Sequence, residues 1–159
     1  MLRLAELSDA PQILQVRIAA IRGLTLSHYP AVEIEDWCTS RTAETYHVAI
    51  ERQTVLVEDV AEGVIAFGQL NRETAVVEAV YVSPSHSRQG IGLKVLRALE
   101  TMAARHGIKT LTLEASLNAV EFYRQAGYVP AEEAEPSSNP RPSSATLRMR
   151  HEITTPTAA

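Results

Sequence analysis

The chain has 159 residues, of which 45% are hydrophobic and 21% charged, and its formal net charge is -4. Such a chain is long enough to bury one core, so we expect a single domain over residues 1–153 and a disordered tail over 154–159. The acidic balance argues against a nucleic-acid partner. It weakly favours cationic small molecules or basic peptides.

The cysteine content limits disulfide and metal chemistry, and the N-terminus and the absence of long apolar runs bear on location. Cys38 is the one cysteine of the sequence, which excludes an internal disulfide and a thiolate metal cluster. The first residues, MLRLAELSDAPQ, lack the charged and then apolar order of a signal peptide. No apolar run reaches the roughly 18 residues that span a bilayer. We therefore expect a cytoplasmic protein with no membrane association.

The N-terminal third is predicted to form one strand and then two helices. LRLAEL alternates apolar and polar positions, which is typical of a strand from Leu2 to Leu7. The following segment predicts a helix with Asp9 as its N-cap, Pro11 in its first turn and Gly23 at its end. PAVEIEDWCTSR predicts a second, shorter helix.

Three strands and the clearest helix of the chain follow. TVLVEDV and GVIAFGQL, separated by AEG, predict a hairpin. TAVVEAVYV, from Thr74 to Val82, predicts a third strand because it is rich in β-branched residues. RQGIGLKVLRALETMAARHG predicts a long helix that Gly107 closes. The expected apolar stripe of this helix consists of Ile91, Val95, Ala98, Leu99 and Met102.

Strand and helix alternate once more before a final strand. KTLTLEA predicts a strand and NAVEFYRQAG a helix, with Asn118 and Glu121 at the spacing of a capping box and Gly127 as the stop. YVPAEEAEPSSNPRPSS predicts a loop, and ATLRMRHEI a last strand. A strand–helix–strand crossover should be parallel and right-handed. The sequence thus predicts an α/β fold with a mixed, mostly antiparallel sheet, one parallel crossover and helices on both faces.

Two glycines, Gly90 and Gly92, stand directly after a buried strand and at the first turn of the long helix. A helix N-terminus carries unpaired N–H groups and a partial positive charge, and glycine lets a phosphate approach the backbone. A dinucleotide fingerprint is excluded because Val95 stands where its third glycine is required. A mononucleotide loop is excluded because Leu93 and Lys94 follow Gly92. Glycines that only shape a tight turn remain the alternative.

VYVSPSHSRQGIGLKVLRALE, together with the order of elements, resembles the GNAT superfamily of acetyltransferases, in its bacterial single-domain form. The family pattern is Gln or Arg, two residues, Gly, one residue, and Gly or Ala; it corresponds here to residues 87–92, with Ser87 at the first position. LTLEASLNAVEFYRQAGYV resembles a second family segment. The resemblance implies a GNAT-like fold and an N-acetyltransferase that moves the acetyl group of acetyl-CoA directly to a primary amine in a ternary complex.

The resemblance also implies which residues hold acetyl-CoA. Main-chain groups of Val80 and Val82, with Tyr81 between them, would pair with the pantetheine arm like a further strand, although both valines also suit a buried strand. An N–H near Val82 would polarise the thioester carbonyl. Asn118 resembles a family asparagine that contacts the cofactor, and it is equally well explained as a helix N-cap. The pyrophosphate would lie on the backbone amides of Arg88, Gln89, Gly90, Ile91 and Gly92.

Two residues are candidates for proton transfer. Tyr123 resembles the family tyrosine that contacts the cofactor and protonates the departing thiolate; a core tyrosine is the alternative. The amine must be neutral before it attacks, so a base or a water chain is needed. Glu78 is the candidate base because the two-residue period of a strand places it on the side of Val80 and Val82. A solvated glutamate is the alternative for Glu78, and Glu114 on the neighbouring strand is a weaker candidate.

Several questions stay open at the level of sequence. The histidines show no metal spacing, so we expect no metal. The acidic run of Glu132, Glu133 and Glu135 predicts a solvated loop or a contact with a cationic acceptor. The acceptor is a small amine, an amino acid, an antibiotic or a protein, and a homodimer is expected from the family alone. Two other functions also fit: a non-catalytic CoA-binding module that regulates a partner, and an acyltransferase with another acyl-CoA or a hydroxyl acceptor.

Overall fold

The computed structural model describes residues 1–23, 28–131 and 146–154. Within them, seven strands form one sheet in the order β1-β2-β3-β4-β5-β7-β6. The strands are β1 (Leu2–Leu4), β2 (Val55–Val60), β3 (Gly63–Asn71), β4 (Val76–Val82), β5 (Thr110–Ser116), β6 (Val129–Pro130) and β7 (Thr146–Glu152). The helices are α1 (Ala10–Arg22), α2 (Ala31–Thr39), α3 (His47–Glu51), α4 (Ile91–Arg105) and α5 (Val120–Gln125). Neighbouring strands are antiparallel apart from the parallel pair β4–β5, which confirms the predicted mixed sheet.

Helices cover both faces of this sheet, as predicted. On the side that we call the α1 face, Ile13 of α1 packs with Phe67 of β3 in a core that also takes in α3. On the opposite side, the α4 face, the buried residues of α4 and α5 form the larger core. Gly68 of β3 faces α4, where an added Cβ would come within 2.6 Å of Val95 and 2.8 Å of Leu99. The missing side chain therefore lets α4 approach the sheet closely.

The buried stripe of α4 is rotated relative to the predicted one. Val95 and Leu99 are fully buried as expected, but Ile91, Ala98 and Met102 are only partly buried. The helix meets a flat sheet, so two adjacent positions in each turn face it, and these positions include the fully buried Leu96 and Ala103.

The first elements are shorter than the sequence predicts. β1 ends at Leu4, because a 3-10 turn occupies Leu7–Asp9. α1 follows Asp9 as predicted, with Pro11 in its first turn, yet the Asp9 carboxylate does not cap this helix. It accepts hydrogen bonds from the main-chain N–H of Glu6 and from Arg3 instead. α3 and the 3-10 turn Ala43–Tyr46 before it were not predicted, because five residues are too few for a periodic signal.

The capping box predicted for the last helix is wrong. Residues Leu117–Ala119 form a 3-10 turn and α5 begins only at Val120, with Ala119 as its N-cap, so Asn118 caps neither element. The acidic run Glu132, Glu133 and Glu135 and the tail residues 155–159 lie outside the described residues. β6 and β7 complete the far edge of the sheet.

Candidate functional site

A gap opens in the sheet between β4 and β5. The two strands pair at one position, Val76 with Thr112, where the Thr112 N–H donates to the Ala75 carbonyl at 3.0 Å. Beyond it, β5 continues to pair with β7 as far as Ser116 and Thr146, while β4 keeps only its partner β3. The edges of β4 and β5 that face each other therefore carry main-chain groups without a strand partner.

The hydrogen-bond alternation of β4 shows which of its groups face this gap. The Ser83 N–H donates to the Ile65 carbonyl at 2.8 Å, and antiparallel ladders alternate bonded and non-bonded pairs. Tyr81 and its partner Phe67 therefore exchange main-chain bonds. The N–H and C=O groups of Val80 and Val82 point into the gap instead. Three residues are expected along the pantetheine arm. The main-chain groups of one of them, Tyr81, bond to β3 and therefore do not point into the gap.

The glycine turn begins a few residues after β4. Gly90 is the N-cap of α4 with φ +78°, and Arg88 also lies in the left-handed region with φ +61°. Consecutive amides in such a conformation form a concave anion-binding nest. None of the N–H groups from Arg88 to Leu93 has an acceptor among the residues that the structure describes. A Cβ built on Gly90 meets nothing within 4 Å, so the space beside this residue is open.

Two residues of the turn are unusual: Arg88 for its backbone conformation and Ser87 for its residue type. A non-glycine residue with positive φ, such as Arg88, costs of the order of 1 kcal/mol or more, and such strain concentrates at functional sites. Ser87, at the position where the family pattern has Gln or Arg, donates its hydroxyl to the Pro84 carbonyl at 2.9 Å. This bond closes the 3-10 turn Pro84–His86.

Two cavities adjoin the gap. The larger, of about 500 Å³, lies between the glycine turn and α5 and is lined by Arg88, Gly90 and Gly92 among others. The smaller, of about 300 Å³, is lined by residues from the ends of α1, β4 and β5 and by Trp37 of α2. Val82 and Ser87 line both. The end of β4 therefore separates a cavity of the α4 face from one of the α1 face.

Helix α5 supplies a wall that sequence reasoning did not assign. Phe122 lines the larger cavity together with Gln125 and Ala126, and a Cβ on Gly92 would touch its ring at 3.4 Å. Tyr123, the candidate acid, is 8% exposed and packs against Phe122 and Tyr128 in the core of the α4 face. Tyr123 is not part of the described lining of either cavity.

Asn118 lies in the wall of the smaller cavity, together with Ala119. The turn that carries both residues is held by Tyr29, whose buried hydroxyl accepts a hydrogen bond from the Leu117 N–H at 3.0 Å. Tyr29 in turn packs edge-on against Trp37, with the two ring centroids 6.0 Å apart. Nothing in the sequence pattern marks Tyr29, because its partner lies 88 residues away.

The placement of Glu78 corrects one expectation. The register jumps from Gln69–Ala79 to Leu70–Val77, so Glu78 is an extra residue in a β-bulge. The bulge resets the alternation, and Glu78 does not lie on the side of Val80 and Val82. Its carboxylate accepts a hydrogen bond from Asn71 Nδ2 at 3.4 Å and interacts with Arg41, which places it on the α1 face.

Other polar side chains act on Arg41, and Glu114 has partners of its own on β7. Burial lowers the pKa of Arg41, and the charge of Arg17 lowers it further, whereas Tyr46, Glu78 and Tyr81 act in the opposite direction. Burial also raises the pKa of Tyr46 to about 12. Glu114 lies on the adjacent strand opposite Arg148 and accepts a hydrogen bond from the Thr146 hydroxyl at 3.5 Å.

Neither a metal-binding group of side chains nor a membrane-spanning helix occurs among the described residues. Within residues 1–23, 28–131 and 146–154, no three histidine, cysteine, aspartate or glutamate side chains are grouped so that they suit a metal ion. In the same ranges, no helix has the length and apolar character needed to cross a bilayer.

The fold with this gap and glycine turn is that of known acetyltransferases. A family model described as an acetyltransferase (GNAT) domain matches residues 25–139. These residues include β4, the glycine turn and α5, which form walls of the two cavities. The chain therefore belongs to the GNAT acetyltransferase family, as the sequence resemblance predicted.

Solved structures agree with this assignment at the level of fold. A GCN5-related N-acetyltransferase from Rhodopseudomonas palustris is 24% identical, with a TM-score of 0.84 over 96% of this chain and 95% of that one. The PaiA N-acetyltransferase from Thermoplasma acidophilum, solved with coenzyme A, is 16% identical, with a TM-score of 0.79 over 96% and 98%. The ribosomal-protein-S18-alanine N-acetyltransferase from Escherichia coli is 18% identical, with a TM-score of 0.69 over 97% and 94%.

Proposed function

We propose that this acetyltransferase moves the acetyl group of acetyl-CoA directly to a primary amine in a ternary complex. The observation that carries the proposal is the run of N–H groups from Arg88 to Leu93, which have no acceptor among the described residues and open onto a cavity. Such a run at a helix N-terminus attracts a phosphate group. Coenzyme A carries a pyrophosphate, and the PaiA protein of the same fold was solved with coenzyme A.

The described residues fit acetyl-CoA along its length. The amides of Arg88, Gln89, Gly90, Ile91 and Gly92 would hold the pyrophosphate. The pantetheine arm carries two amides, which suit the main-chain groups that Val80 and Val82 direct into the gap. Asn118, in the opposite wall, would donate or accept a further hydrogen bond. We propose that Tyr81 contacts the cofactor through its side chain only.

The chemistry is divided between the two faces of the sheet. The acceptor amine would enter on the α1 face, where Glu78 removes its proton directly or through water. The amine nitrogen then bonds to the acyl carbon while the Val82 N–H stabilises the charge on the oxygen. As the carbon–sulfur bond breaks, the thiolate takes a proton from Tyr123. Since Tyr123 is nearly buried, this step requires its hydroxyl to reach the sulfur from the core side. The amide nitrogen gives up its extra proton to water, and Tyr123 regains a proton from water.

The remaining expectations stay proposals. We propose that residues 1–153 act as one catalytic domain in the cytoplasm, and that the protein forms a homodimer. Sedimentation velocity would test whether the protein is a homodimer. A mass of one chain at micromolar concentration would contradict this proposal.

Calorimetric titration with acetyl-CoA, with ATP and NAD as controls, tests the proposal first. We expect selective binding of acetyl-CoA and then release of thiol with members of an amine panel. Binding without turnover would instead favour a regulatory CoA-binding module. A preference for propionyl- or succinyl-CoA would indicate another acyl donor. No binding by a folded sample would overturn the proposal.

A further inference from the structure

Helix α5 is short for the wall of a binding cavity. It has six residues, Val120–Gln125, and a helix of this length is not stable by itself in water, so other parts of the molecule must hold it. Phe122, Gln125 and the following Ala126 line the larger cavity opposite the glycine turn. The width of that cavity therefore depends on the contacts that fix the end of α5.

Two side chains bind the carbonyls that follow the last turn of α5. Arg97 of α4 donates from Nη2 to the Ala126 carbonyl at 2.9 Å. His151 of β7 donates from Nδ1 to the Gly127 carbonyl at 3.0 Å, since a carbonyl oxygen only accepts. The last carbonyls of a helix lack partners within it, and basic side chains are favourable there. Arg97 and His151 thus connect the end of α5 to α4 and to the sheet.

The carboxylate of Glu100 orients the first of these donors and lies beside the second. Glu100 is 7% exposed and follows Arg97 by three residues on α4. Arg97 Nη1 donates to both of its oxygens, at 2.6 and 2.9 Å, and His151 Nε2 lies 3.7 Å from its Oε1. A guanidinium is planar and rigid, so fixing Nη1 on a carboxylate also fixes the direction of Nη2. Glu100 therefore aims Arg97 at the Ala126 carbonyl.

Ala126 links this cluster to the coenzyme. It is 4% exposed, accepts the bond from Arg97 and also lines the larger cavity. The helix that carries Arg97 begins at the glycine turn, where the pyrophosphate would lie under the proposed function. One side chain of α4 thus joins the two walls between which coenzyme A would bind.

We propose that Arg97 is a positioning residue for acetyl-CoA: it holds α5 at the distance from the glycine turn that the coenzyme requires. This role rests on the proposed function and deepens its coenzyme site. Without Arg97, α5 occupies the binding arrangement for only part of the time, and the affinity falls by that fraction. Bound coenzyme restores the arrangement, so kcat at saturation should change little.

Arg97→Met tests this role, because it keeps most of the aliphatic stem and removes both donors. We expect it to raise the Kd and the KM for acetyl-CoA roughly 3- to 10-fold, the range of one hydrogen bond, with kcat within about twofold of the wild type. Arg97→Lys keeps the charge and should recover part of the affinity. Glu100→Gln should raise the Kd as well, and should add little to Arg97→Met because the two side chains act as a unit. Calorimetry and steady-state kinetics measure these values.

Arg124→Met is the matched control. Arg124 lies on α5 itself and forms an exposed ion pair with Glu121 at the same three-residue spacing. Its side chain is not part of the described lining of either cavity. The variant should bind acetyl-CoA with the affinity of the wild type.

Hydrogen exchange gives a readout that does not depend on turnover. The N–H groups of Ala126 and Tyr128 donate to carbonyls of α5 and report on its last turn. In Arg97→Met without ligand they should exchange faster than in the wild type. Saturating acetyl-CoA should slow them again.

Failure of this role and failure of the proposed function give different results. If Arg97 only stabilises the fold, Arg97→Met lowers the free energy of unfolding but leaves the Kd of the folded protein unchanged. That result overturns the inference and leaves acetyl transfer intact. If Arg97→Met does not fold, Arg97→Lys and Glu100→Gln decide, and wild-type Kd values for both overturn the inference. A wild-type protein that binds no acetyl-CoA overturns the proposed function, and the inference with it.

Discussion

Two glycines at the ends of α4 share one backbone conformation and differ in surroundings. Gly90 has φ +78° and Gly107 has φ +76°, and a Cβ on either meets nothing within 4 Å. A side chain at either position therefore strains the backbone by a similar amount, of the order of 1 kcal/mol. Only at Gly90 would it also enter the proposed pyrophosphate site.

Gly90→Glu should abolish acetyl-CoA binding, because the carboxylate would occupy the nest and repel phosphate. Gly107→Glu is its control and should bind with the affinity of the wild type. Calorimetric titration of both folded variants measures this. Undiminished affinity of Gly90→Glu would show that the turn does not hold the cofactor.

Tyr123 and Tyr128 are neighbouring buried tyrosines, with ring centroids 5.7 Å apart. If Tyr123 protonates the thiolate, Tyr123→Phe should lower kcat by roughly 10²–10⁴-fold with little change in acetyl-CoA affinity. Tyr128→Phe removes a buried hydroxyl that has no partner among the described residues, so its kcat should match the wild type. Equal kcat values for both variants would make Tyr123 a core residue.

Glu78 and Glu114 lie on the two strands that border the gap, and replacing each of them should have a different effect on catalysis. If Glu78 is the base, Glu78→Gln should lower kcat/KM by roughly 10²–10⁴-fold. Glu114→Gln should have a small effect, since Glu114 contacts Thr146 on the neighbouring strand. Steady-state kinetics of both variants measures this, and a larger loss in Glu114→Gln would reverse the assignment.

At the scale of elements, a hydrogen bond of the Tyr29 hydroxyl connects the chain just before α2 to the turn before α5. The Tyr29 hydroxyl accepts it from the Leu117 N–H, next to Asn118 in the cavity wall. Tyr29→Phe should lower the free energy of unfolding by about 1 kcal/mol, the typical value of one hydrogen bond. It should also raise the KM for acetyl-CoA, because the turn is no longer held.

Urea unfolding and steady-state kinetics measure the two effects. Tyr128→Phe is again the control, because it loses a hydroxyl without losing a partner among the described residues. A Tyr29→Phe protein with unchanged KM would show that the turn keeps its place without this bond.

At the scale of the whole molecule, Arg3 joins β1 to the start of α1 and to β2. It bonds both oxygens of Asp9, at 2.8 and 3.0 Å, and Asp59 at 3.0 Å. The Arg3 hydrogen bond lowers the pKa of Asp9, against the effect of its burial. A lowered carboxyl pKa stabilises the fold above the unfolded value, about 3.9, and this contribution is lost as pH falls through the folded pKa.

Asp9→Asn should therefore be less stable than the wild type at pH 7, by about 1–3 kcal/mol for a charged hydrogen bond. The difference should shrink as the pH falls below about 4. Chemical denaturation from pH 7 to pH 3 measures both. Glu35→Gln, which breaks an exposed ion pair with Arg22, is the control with a smaller effect. A constant Asp9→Asn deficit across this range would contradict the charge-based explanation.

Local patterns were enough to predict most of the sheet and the anion-binding turn. The alternation in TVLVEDV and GVIAFGQL and the position of Gly90 and Gly92 depend on a few adjacent residues. Local patterns failed where the signal was short or ambiguous. α3 is only five residues long, and Asn118 has the spacing of a helix cap but caps no helix. Phe122 likewise has the pattern of a core residue and also lines the larger cavity.

The sequence by itself determined the order of the longer elements, the glycine turn and the GNAT family, because these depend on short-range spacing. Only the tertiary structure decided which face carries each candidate residue. The bulge at Glu78 is defined by pairing with β3 and moves that carboxylate to the α1 face, away from Val80 and Val82. Glu78 interacts with Arg41, which lies about 40 residues earlier in the chain, and a local pattern holds no information on such a long-range pair.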